Sequence, residues 1–161
     1  MVEQRMNNRS GLTLIELVIA MAILAILAAA VIPMSEVTVT RTKELELRRA
    51  LRDIRSAIDA YKIDYDKAVT EKKIFATIDK SGYPAELELL LSGNDWGGLY
   101  PFKKKYLRRI PADPFDRDNE GWGLRAYKDD ADSTVWGGDD IYDVYSQSDA
   151  IALDGTDYRE W

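Results

Sequence analysis

A chain of 161 residues with a formal net charge of −6 has room for one compact domain and an extension. It holds no cysteine and no histidine, which excludes disulfides, thiol nucleophiles, imidazole acid–base catalysis and the usual ligands of zinc or copper. From Ala112 onward fourteen acids face four basic residues, so no nucleic-acid partner is expected.

The first eleven residues carry Arg5 and Arg9 against Glu3. From Leu17 to Ile32 no charged residue occurs, and with Leu12 to Glu16 the run reaches roughly 20 residues, about one bilayer span. The positive-inside rule keeps Met1 to Ser10 cytoplasmic and sends the acidic remainder across. A permanent anchor and a secretory signal cut near Ala28-Ala29-Ala30 both fit the apolar run. Neither gives Glu16 a task, although a carboxylate inside a span is costly and usually paired or functional. A third reading is a signal cut before the apolar run, at Gly11. Pro33 lacks an N–H and predicts a helix break near Ala29 to Pro33.

Residues 41–66 continue as an amphipathic helix. Leu47, Leu51, Ile54, Ile58, Tyr61 and Tyr65 recur every three or four residues, which makes one apolar stripe. Joined to the apolar run, it would form a rod about 80 Å long. A short helix is expected from Pro84 to Leu91, followed by an ordered loop around Pro111 and Pro114. The stretches 122–127 and 140–146 are short and rich in aromatic or β-branched residues, and suit antiparallel strands. The expected class is therefore α+β: a long hydrophobic, then amphipathic, helix packed on a small antiparallel sheet head. The cluster Lys103, Lys104, Lys105, Arg108 and Arg109 is either a solvated face or a contact for an acidic patch of a neighbouring copy.

Gly11 to Glu16, Gly-Leu-Thr-Leu-Ile-Glu, resembles the prepilin peptidase motif of type IV pilins and type II secretion pseudopilins. The resemblance implies cleavage between Gly11 and Leu12, N-methylation of Leu12, and Glu16 as the conserved-type glutamate at the fifth mature position. Pro33 then stands where the family commonly has a helix-disrupting proline. Leu12 departs from the usual phenylalanine. In such a filament the Leu12 ammonium of one subunit pairs with Glu16 of the next, and the two are desolvated together.

The head stretches Gly-Tyr-Pro (82–84), Pro-Ala-Asp-Pro-Phe (111–115) and the acidic tail resemble the major pseudopilin of type II secretion systems, with a pilin-like fold. That resemblance implies a leader at 1–11, a filament-core helix at 12–33, its amphipathic continuation at 34–66 and a periplasmic head at 67–161. It implies a structural, non-enzymatic subunit of the inner membrane that later enters a pseudopilus. Expected partners are other copies of the chain, minor pseudopilins, the prepilin peptidase and an inner-membrane assembly platform. It also implies calcium in the acidic loop, with Asp149, Asp154 and Asp157 as ligands and Asp139, Asp140 and Asp143 as alternatives. Composition alone reads the same loop as solvated. A type IV pilin is the alternative assignment, and a carboxylate enzyme using Asp113 with Asp116 is the reading from another class.

Overall fold

A computed structural model of the chain describes residues 11–77 and 80–161, without the side chains of 30–35. Of the expected leader at 1–11, residues 1–10 lie outside the described residues. The chain divides into two compact units, with the boundary between Val39 and Thr40. One helix, α1 (Leu14–Thr70), supplies most of the first unit and enters the second.

From Leu17 to Ile32 the sequence of α1 is apolar on every side, and its described side chains up to Ala29 are all exposed. A helix hydrophobic all round has no solvent face and needs lipid or other helices around it. Among the described residues no helix is long and apolar enough to cross a membrane. The expected break near Pro33 is absent: α1 continues through it. A single proline removes one hydrogen bond, and the flanking bonds of the ladder can carry the helix past it.

In the second unit the predicted stripe is the core. Leu47, Leu51, Ile54 and Ile58 are buried, with Tyr61 and Ala68 further along the same face. They pack with Leu90, Trp96, Trp122, Ile141, Val144, Ala152 and Tyr158. α1 ends at Thr70, a turn later than the stripe suggests, in a Schellman-type closure. Lys73 N–H donates to the Ala68 carbonyl at 2.8 Å and Lys72 N–H to that of Val69 at 3.0 Å. Lys72 takes the left-handed position with φ 56°, where glycine is usual.

The expected helix at 84–91 is shorter: α2 spans Glu88–Ser92. Pro84 lies outside it because its carbonyl accepts from Ile141 N–H at 2.7 Å, which ties that segment to the sheet region instead. The two expected strands form, each three residues long. β1 (Gly123–Arg125) pairs antiparallel with β2 (Asp143–Tyr145), Leu124 opposite Val144. Between them Asp129 accepts from the N–H groups of Ala126 and Gly137, at 2.7 and 3.0 Å, and closes the connecting loop. The α+β class is as expected: a long helix and a small two-stranded antiparallel sheet.

Gly82 marks the tightest approach to α1. Its φ is +87°, and a Cβ there would stand 2.4 Å from the Tyr65 ring. That ring is held edge-on against Trp96, 5.9 Å between centroids, and has little room to yield. Gly82→Ala is expected to destabilise the head by about 2 kcal/mol, read from denaturant unfolding.

Candidate assembly site and C-terminal loop

Gly11 and Leu12 precede α1 in irregular chain, and both are exposed, Leu12 at 76%. α1 starts on a cap: Glu16 N–H donates to Thr13 Oγ1 at 3.3 Å, and Leu17 N–H to the Thr13 carbonyl at 3.1 Å. Thr13 is the N-cap and Glu16 the third helical residue, the T-x-x-E spacing of a capping box. This pattern is legible in the sequence and was missed there. The Glu16 carboxylate itself is exposed and has no partner among the described residues. Pro33 sits within α1, but its side chain lies outside the description.

The acidic loop is organised differently. Asp149 forms an ion pair with Arg159. Asp154 pairs with Arg48 of α1 at 3.2 Å and accepts from the Thr156 N–H at 3.0 Å and hydroxyl at 2.6 Å. The Thr156 bonds, then Arg48, hold its carboxyl below the ordinary range. Asp157 caps a 3-10 turn at Tyr158–Glu160, accepting from Arg159 N–H at 3.0 Å. The three aspartates thus belong to three separate contacts. Among the described residues no three acids are grouped to hold a metal ion. Calcium takes six to eight oxygens, whereas two of these carboxylates already face guanidinium groups, so this donor set does not fit the ion. The alternatives are likewise engaged. Asp139 pairs with Lys128 at 3.4 Å, and Asp143 with Arg55 at 2.6 Å. Buried Asp140 accepts from the Ser81 hydroxyl and from Tyr127 N–H at 2.8 Å.

The same loop is anchored on α1 through Glu44, whose Oε1 accepts from Leu153 N–H at 2.7 Å and the Tyr158 hydroxyl at 3.1 Å. Burial, then the bond to Glu44, pushes the Tyr158 phenol up to about 12. Trp161 is a packing residue. It meets Tyr158 edge-on, 5.0 Å between centroids, and lies beneath Arg48.

Asp113 and Asp116 hold turns. Asp113, only 6% exposed, accepts Phe115 N–H at 2.8 Å, and its Oδ2 has no partner among the described residues. Asp116 accepts from Gly121 N–H at 2.9 Å and from Asp118 and Glu120 N–H at 3.2 Å. These bonds, Gly121 first, keep its carboxyl below the usual range. Neither geometry is that of an acid–base pair.

Sequence reading also missed a buried polar cluster. Asp64, 3% exposed, accepts from the hydroxyls of Tyr100 and Tyr106, at 2.7 and 2.6 Å, and from Lys104 Nζ at 2.7 Å. Trp96 Nε1 donates to the Tyr106 hydroxyl at 2.7 Å. Of the basic cluster, Lys104 is thereby committed inward, while Lys103, Lys105, Arg108 and Arg109 are exposed.

The prokaryotic N-terminal methylation motif matches residues 6–32, the segment containing Gly11, Leu12 and Glu16. The type II secretion system core protein G of Klebsiella michiganensis is 29% identical over 71% of this chain and 73% of its own. That of Pseudomonas aeruginosa is 30% identical over 68% of this chain and 70% of its own. No solved structure matches the chain significantly. With a methylation motif at its start and likeness of that extent over most of its length, the chain belongs to the family of type II secretion system core protein G, the major pseudopilins.

Proposed function

We propose that this pseudopilin is made as a single-pass inner-membrane precursor, cut after Gly11 and polymerised with its head in the periplasm. One observation carries the reading. From Leu17 to Ala29 α1 presents only apolar side chains, all exposed, and Glu16 in its first turn has a carboxylate without a partner among the described residues. Lipid accommodates the apolar surface before assembly, and neighbouring copies of the helix do so afterwards. The Leu12 ammonium of an adjacent subunit then gives Glu16 its partner. The peptidase, the assembly platform, minor pseudopilins and other copies of this chain are the partners that such a subunit requires.

The role is structural. Asp116, of the pair considered for catalysis, accepts backbone N–H groups on both oxygens, and Asp113 Oδ1 accepts from Phe115 N–H. The type IV pilin alternative is not favoured, because the likeness to core protein G spans 115 and 111 residues and so reaches past α1 into the head.

Processing gives the direct test. Mass spectrometry of the protein isolated from membranes is expected to place the mature N-terminus at Leu12, carrying one methyl group. A mature N-terminus at Val31 would refute the proposal, since it removes Glu16 and the filament helix together.

A further inference from the structure

The C-terminal segment is laced by cations from within the chain. Arg159 pairs with Asp149 across the loop and donates to the Gln147 carbonyl at 3.4 Å. Arg48, on α1, pairs with Asp154 at 3.2 Å and lies over the Trp161 ring, 4.0 Å from its centroid. Two turns further along α1, Arg55 grips both Asp143 oxygens, at 2.6 and 3.4 Å. The same guanidinium donates to the carbonyls of Val144 at 3.0 Å and Trp161 at 2.7 Å. Arg125 reaches Asp143 at 3.6 Å and the Arg159 carbonyl at 3.5 Å.

A planar guanidinium with five N–H donors can bridge carboxylates and carbonyls at once, which a point cation does only by gathering them around itself. Here the carboxylates are dispersed, and each has its own donor. A divalent ion bound by Asp149, Asp154 and Asp157 would have to expel Arg159 and Arg48 or stand beside their like charge.

We infer that Arg48 and Arg159, backed by Arg55, close the acidic loop of this chain onto α1 in place of a divalent cation, so that its head folds without calcium. The inference concerns the head alone and holds whether or not the filament reading does.

Thermal unfolding of the full-length protein in detergent, followed by tryptophan fluorescence, tests it. The midpoint is expected to be the same in millimolar calcium and in excess chelator. Arg159→Gln and Arg48→Gln are each expected to lower it by several degrees, and calcium is not expected to restore it. A wild-type midpoint that rises by several degrees with calcium would overturn the inference, because an ion bound only to the folded state stabilises it. Variants that melt with the wild type would overturn it equally. The wild-type comparison requires no substitution, so failure of Arg159→Gln to fold leaves the inference open to refutation.

Discussion

Asp64→Ala is expected to destabilise the head by about 3 kcal/mol. Asp64 lies on α1 beside the stripe that forms the core, yet it is as buried as the stripe itself. Two phenol hydroxyls and the Lys104 ammonium converge on its two oxygens. Alanine leaves all three donors without their acceptor and opens a cavity between α1 and the 100–106 segment. Lys104 can turn to solvent, being partly exposed, so the loss falls chiefly on the tyrosines. Asp64→Asn keeps the shape, removes the charge and is expected to fall between wild type and alanine.

The same cluster sets a pH dependence. Burial alone would raise the Asp64 carboxyl, but the bonds from Lys104, Tyr106 and Tyr100 together outweigh it and hold it below the ordinary carboxylate range. A group lowered in the folded state stabilises fully above its unfolded pKa and loses that contribution as pH falls through the folded value. Tyr106 moves the other way: burial, then its bond to Asp64, raises it above the ordinary 10.0. Its contribution is full below that value and is lost as pH rises through the higher folded one. Denaturant unfolding across pH should show both flanks in the wild type. In Asp64→Asn the Asp64 part of the acid flank should disappear.

The core stripe was legible because helical periodicity is local: six residues from Leu47 to Tyr65 state it without reference to the rest of the chain. The two strands were legible for the same reason, as short aromatic and β-branched runs between turn residues. The Asp64 cluster was not. Its partners lie 36 to 42 residues away, and an aspartate on an amphipathic helix reads as solvent-facing until those partners arrive. The end of α1 was hidden by Lys72, which occupies a position where glycine would have announced the stop. The ion pairs of the acidic loop were hidden in a related way. Its composition shows a surplus of carboxylates, while the arginines that meet them come from α1 and from the loop's far side. Glu16 was legible as an anomaly, while its backbone N–H takes a second, local role at the helix start, on the Thr13 hydroxyl.

Those two roles can be separated. Glu16→Gln leaves the Glu16 backbone N–H on the Thr13 hydroxyl, keeps the size of the side chain and removes only the charge. Cleavage after Gly11 should therefore continue, because the exposed bond and the start of α1 are unaltered. Assembly should fail. Each incoming subunit would bring a Leu12 ammonium into an apolar filament core without its carboxylate. A buried charge deprived of its partner is penalised by about 3 kcal/mol or more, roughly a hundredfold in the equilibrium constant of each addition. Since a filament repeats that step at every subunit, the loss compounds along its length. The expected result is processed, membrane-retained monomer beginning at Leu12 and no sedimentable filament, with Glu16→Asp recovering part of the yield. Wild-type filament yield from Glu16→Gln would show that the charge is not needed for the contact between subunits.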